Sequence, residues 1–283
     1  MAATTQTSGV GTRYAVVFLL DTDGLPYQAT SSANPEKGYR IDKIKTFSAA
    51  DPEVQRFTHY GDDTPFAQDS LAPTEVETFD ITTAKVNLDL DAALSGTKVA
   101  ALGDEVARLA ANTNKLGSEP QVMVFTYRQA LDTNPSSASY GARRYEGRVY
   151  PKARLVPKTP PYEAGITDKT YQGTPTPVRK TEYGQVLTTS THGCTEATHF
   201  DDIYVYPPRI NVWRGNGALT VFNLSHTPVS ADYLKVWVNG ALTTPASVNL
   251  SATAPTFTLS NAPASGHQVY ALIQTATPEQ ADN

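Results

Sequence analysis

Prolines and glycines divide this chain into short pieces. The 20 prolines and 18 glycines are concentrated in residues 24–73, in residues 157–177 and at Pro207-Pro208. Both residue types break helices, and proline is also barred from central strands. Between these breaks lie short apolar runs that alternate with polar residues, the period of a half-buried strand. Thr78 to Leu90 shows this with Phe79, Ile81, Val86, Leu88 and Leu90. Tyr14 to Leu20, Gln121 to Arg128 and Arg144 to Val156 read as further strands. A mostly β fold is expected, with loops long enough to reach other molecules.

One stretch has helical spacing. Within Ser95 to Leu116 the residues Val99, Leu102, Val106 and Leu109 recur at intervals of three and four, which places them on one face of a helix. Ser95 or Thr97 can cap its start, and Gly117 suits its end. A helix near 97–116, laid against a sheet, is therefore expected. The five prolines at 157, 160, 161, 175 and 177 make residues 157–177 an extended arm or loop.

After Pro207-Pro208 the texture changes. Five short strand-like runs follow at close spacing, and Asn239-Gly240 is a tight hairpin turn. Three segments are expected: a flexible arm over 1–12, a β domain over 13–208, and a small antiparallel sandwich over 209–283.

Charge is uneven. Residues 21 to 105 carry 16 acidic and 7 basic side chains, a net of -9; residues 142 to 180 carry 9 basic and 3 acidic, a net of +6. Opposite patches on one molecule favour head-to-tail contacts between copies, which generate rings or filaments. Arg143, Arg144, Arg148, Lys152 and Arg154 are the basic contact candidates, and Asp62, Asp63 and Asp69 the acidic ones. The chain as a whole has a formal net charge of -5, a poor match for tight binding to nucleic acid.

Signals for other chemistry are sparse. One cysteine excludes a disulfide scaffold. No apolar run reaches the 18 residues of a membrane span, and no signal peptide or membrane insertion is expected. His192, Cys194 and His199 form the densest group of potential zinc ligands, but their spacing matches no common zinc module. Neither a metal nor a cofactor is expected. No phosphate loop, dinucleotide turn or serine elbow occurs, so the chain reads as no enzyme. Trp237 and Tyr233 are candidate stacking platforms for a surface glycan.

The last 75 residues resemble the β-sandwich modules, immunoglobulin-like in type, appended to phage virion proteins. The residues that carry the likeness are Phe222-Asn-Leu-Ser-His-Thr-Pro228, Val236-Trp-Val-Asn-Gly240, Thr256-Phe-Thr-Leu259 and Ala262-Pro-Ala-Ser-Gly266. The first 208 residues resemble, in arrangement, the major tail (tail tube) protein of a long-tailed bacteriophage. The resemblance implies a structural protein that self-assembles into stacked hexameric rings, with a lumen through which DNA is ejected without specific binding. It implies terminator, tape-measure and baseplate proteins as partners. It places the chain in the virion tail, assembled in the cytoplasm of a bacterial host. Alternatives are another phage part (capsid decoration, connector or baseplate), a carbohydrate-binding module, or a metal hydrolase.

Overall fold

The computed structural model describes residues 7–27, 33–36, 38–50, 55–61, 64–71, 77–102, 105–109, 119–132, 143–158, 168–188, 201–205 and 208–275. The first strands are β1 (Thr7–Leu19), β2 (Tyr39–Asp42), β3 (Ile44–Ala50), β4 (Gln55–Gly61), β5 (Thr64–Leu71) and β6 (Thr78–Thr83). Helix α1 (Leu88–Ser95) follows, then β7 (Lys98–Leu102), β8 (Glu105–Leu109), β9 (Gln121–Asp132), β10 (Arg143–Lys158), β11 (Lys169–Pro175) and β12 (Asp201–Val205). The chain ends with β13 (Pro208–Arg214), β14 (Val221–Asn223), β15 (Leu234–Val238), β16 (Ala241–Thr243), β17 (Ser247–Asn249), β18 (Thr256–Thr258) and β19 (Gln268–Gln274). The fold is mostly β, with antiparallel sheets and one α-helix among the described residues.

The first sheet runs β2-β1-β9-β10-β11-β6-β3, with β12 on β10. Its two outermost strands are separated in the chain by Lys43 alone. One residue cannot span a flat sheet, so the sheet curls until its edges meet. Lys43 makes the corner in the left-handed region (φ 55), where its carbonyl accepts from Ala84 N at 3.2 Å. Inside the curl lie Val17, Ile41, Phe79, Ile81, Val124, Tyr150, Leu155 and Tyr171, with Leu90 and Leu94 of α1 closing the space. Burying each such side chain is worth about 1.5–3 kcal/mol. Gly173 faces Phe79 in the ladder, and a Cβ there would stand 2.0 Å from the Phe79 ring.

Three expectations for this part are corrected. The helix lies at Leu88–Ser95, while 98–102 and 105–109 form a hairpin. Leu102 pairs with Glu105, leaving Gly103-Asp104 between the strands, a dipeptide that suits a two-residue turn better than a helix interior. Asn87 caps the helix by accepting from Leu90 N at 3.0 Å, and Gly96 ends it at φ 67. The arm at 157–177 contains a central strand: β11 lies between β10 and β6. Its only proline is the terminal Pro175, and from Lys169 to Pro175 buried and half-buried residues alternate. Pro157 falls where β10 has already left β9, whose last pair is Arg154↔Gln121, so one side of the strand carries no ladder. Finally, Thr7–Thr12 of the expected arm belong to β1 and pair with β9 through a ladder interrupted at the glycines.

From Pro208 onward the strands pair only among themselves, in a four-stranded sheet (β13-β19-β15-β16) and a three-stranded one (β14-β18-β17). Trp213, Phe222, Val236, Phe257, Val269 and Ile273 fill the space between them. Asn239 (φ 48) and Gly240 (φ 81) make the β15–β16 turn. The strand order departs from the immunoglobulin one. There the first strand lies in the sheet with B, E and D; here β13 pairs with the last strand, β19.

The two halves meet along an apolar seam. The outer faces of β1, β9 and β10 present Phe18, Met123, Phe125, Tyr127 and Val149 to Val212, Tyr270 and Trp237. A segment from the first half also closes the edge of the second. Glu36 N donates to Val212 O (2.7 Å), while Ala33 O accepts from Trp213 Nε1 (3.0 Å) and from Asn223 N (2.8 Å). Ala33 thus ties β13 and β14, which belong to different sheets. Asp21 and Arg214 form an ion pair across the same junction.

Candidate functional site

The charged segments meet first inside the molecule. Asp91 in α1 and Lys169 in β11 form a pair at 3.1 Å, with side chains 4% and 7% exposed. Lys158 approaches Asp80 at 3.9 Å, and Lys45 reaches Asp168 at 2.7 Å. Members of the acidic segment 21–105 and the basic segment 142–180 are therefore partners within one chain. The buried pair is a feature that charge counting missed. Its signal was the alternation Lys169, Tyr171, Gly173 along one face of β11.

The basic candidates all belong to β10 but divide around a bulge. Arg143 and Arg144 open the strand opposite Leu131 and Ala130. Arg148 stands opposite Thr126 on one side and Asp202 on the other. A register shift between Tyr150 and Ala153 then reverses the alternation, since Tyr150, Ala153 and Leu155 all enter the same core. Lys152 and Arg154 consequently share the face opposite to that core, while Arg148, two residues before Tyr150, lies on the core side. The basic residues of β10 thus fall on two half-faces rather than on one.

Asp69 occupies β5 opposite Phe57, whereas Asp62 and Asp63 lie outside the described residues. The β4–β5 and β7–β8 hairpins each form a two-stranded sheet joined to no other sheet of the described residues. α1 packs beside β7.

Trp237 is engaged in the seam. Its ring stacks on Tyr183 (4.7 Å between centroids) and meets Tyr270 edge-on at 5.7 Å. One face of this candidate platform is thereby occupied. Tyr233 is 48% exposed. Burial holds the Tyr127 and Tyr270 hydroxyls well above the ordinary phenol range, and the buried Glu182 adds to both shifts. Tyr171 is raised for the same reason, reinforced by the Asp91 carboxylate against it. Partial burial also raises Glu36.

His192, Cys194 and His199 lie outside the described residues; among the described residues no group of three metal-capable side chains gathers. No helix of the described residues is long and apolar enough to cross a membrane. No protein-family model matches this chain, and no curated protein matches it.

Proposed function

We propose that this protein is a structural virion subunit that assembles into stacked rings, as the tail tube of a long-tailed phage does. The observation that carries the reading is the pair of hairpins, β4–β5 and β7–β8, that join no other sheet among the described residues. A two-stranded hairpin is marginal in water and needs a third strand or a packing surface. A neighbouring copy supplies one. The curled first sheet, with its edges brought together at Lys43, gives a rigid body from which such hairpins can reach. The residual negative charge of segment 21–105 suits a lumen that DNA crosses without adhering, because a basic wall would bind it by releasing counterions.

In this reading the second sandwich is held by the seam in a fixed direction relative to the ring. Negative-stain microscopy of the purified protein tests the proposal: rings or tubes of uniform diameter are expected, and a strictly monomeric species at high concentration would overturn it. Charge reversal at Arg143 and Arg144 should abolish assembly while circular dichroism stays that of a folded β protein. Normal tubes from that variant would remove these arginines from the interface.

A further inference from the structure

The second sandwich is almost free of charge. From Val236 to Pro278 there is no Asp, Glu, Lys or Arg. A protein surface ordinarily mixes charges of both signs for solubility, so a face built without them is suited to a partner without them. Within this stretch the end of the sandwich is concave. A cavity of about 320 Å³ opens between the β15–β16 hairpin and the loop that leads from β18 to β19. The depression is shallow and open to solvent, wide enough to seat one ring rather than to enclose an extended ligand.

Its lining has two characters. Val238, Leu259 and Pro263 make an apolar floor. Ser260, Asn261 and His267 stand at the rim, and their side chains have no hydrogen-bond partner among the described residues. Thr243 joins them, its hydroxyl donating to Ala241 O at 3.0 Å and leaving its lone pairs open. No Trp, Tyr or Phe ring lines the cavity; its one flat side chain is the His267 imidazole at the rim.

The loop is held in place before any ligand arrives. Gly217 N donates to Pro263 O (2.9 Å), Gly266 N to Gly215 O (3.0 Å) and His267 N to Ala264 O (3.1 Å). Gly215 permits this approach: a Cβ there would lie 2.4 Å from Ala264 O. A preformed site loses little entropy on binding.

We propose that this cavity binds a neutral pyranose ring, the terminal residue of an uncharged glycan. Such a ring has an apolar face for the floor and a circle of hydroxyls for the rim. The inference is independent of ring assembly, since every lining residue belongs to one chain. It also moves glycan recognition away from Trp237, whose ring is engaged in the seam.

Saturation-transfer NMR on the full chain tests it, with glucose, galactose and N-acetylglucosamine as neutral probes and glucuronic acid as the charged one. At least one neutral sugar should receive saturation at millimolar concentration, and glucuronic acid should receive none. Asn261→Ala removes an exposed side chain and should weaken binding about tenfold, the worth of a hydrogen bond; His267→Ala should do the same. Gly215→Ala should abolish binding by displacing the loop, and Tyr233→Ala should change nothing. No transfer to any neutral sugar, equal transfer to glucuronic acid, or full binding by Asn261→Ala would each overturn the proposal.

Discussion

Removing the Lys169 ammonium leaves the Asp91 carboxylate buried in the first core without its cation. The Asp91 carboxylate is 4% exposed and stands 3.1 Å from Lys169 Nζ. At an effective dielectric of about 20, two unit charges at that distance attract by about 5 kcal/mol. Burial costs each ion several kcal/mol, so the pair as a whole adds little net stability. Its asymmetry is what matters: breaking one side leaves the full cost of the other. Lys169→Met should therefore lower unfolding stability by about 3–5 kcal/mol. A second change, Asp91→Leu, removes the stranded charge and should recover most of the loss, because an apolar pair of similar volume is often neutral or better. Urea denaturation followed by fluorescence measures both, and the double-mutant cycle isolates the coupling. A loss below about 1 kcal/mol in Lys169→Met, or a double variant no more stable than the single, would mean that water reaches this pair. The placement of α1 against β11 would then need another cause.

Three further perturbations follow from the same core and seam. Tyr127, Tyr171 and Tyr270 keep their protons in the folded state beyond the ordinary phenol range. Their contribution is complete below about pH 10 and is lost above it, as only the unfolded chain ionises; stability should fall by about 4 kcal/mol in all between about pH 9 and pH 11, about 1.4 for each ring, read from urea midpoints across that range. Tyrosinate absorbance rising fully by pH 10.5 in the folded protein would contradict this. Gly173→Ala should cost roughly 3 kcal/mol or more in thermal denaturation, because the Cβ would meet the Phe79 ring on a backbone already fixed by two neighbouring strands. Glu36, raised by partial burial, carries a penalty when ionised that is present above its folded pKa and absent below the unfolded one. Glu36→Gln should thus raise the urea midpoint slightly at pH 7 and leave it unchanged at pH 3.5; an equal shift at both would assign the gain to something other than charge.

Local signals were legible in the sequence and non-local ones were not. Asn239-Gly240 and the alternating residues of β15 and β19 announce their structure within a few positions, so five of the seven strands of the second sandwich could be read directly, β13 and β16 lying outside the expected runs. The helix illustrates the opposite case. Val99, Leu102, Val106 and Leu109 fit a helical face, yet they equally fit two short strands once Gly103-Asp104 is taken as a turn. Ser95 looked like the start of that helix and instead ends the preceding one, with Gly96 after it; the cap of that helix at Asn87 lies among residues that alternate like a strand. Counting prolines over 157–177 hid a run from Lys169 to Thr174 that contains none. The seam, the Ala33 contact and the Asp91–Lys169 pair join residues far apart in the chain, and no spacing rule reports on such distances. The cavity at the end of the second sandwich falls between these cases: its loop contains the Ala262-Pro-Ala-Ser-Gly266 run, but only packing against Gly215 makes it concave.

The closure of β13 by Ala33 and Glu36 bears on how this chain can be divided. Pro207-Pro208 is a boundary along the sequence, but in space the second sandwich carries four residues of the first half as its border. A fragment beginning at Pro208 would expose the unpaired side of β13, leave the Trp213 indole without its acceptor, and uncover the seam side of Trp237 and Tyr270. Open strand edges and bare aromatic rings are the usual seeds of self-association. Aggregation of such a fragment would therefore report the loss of its border, whereas in the intact chain the border is made first, during synthesis, about 180 residues ahead of the sheet it completes.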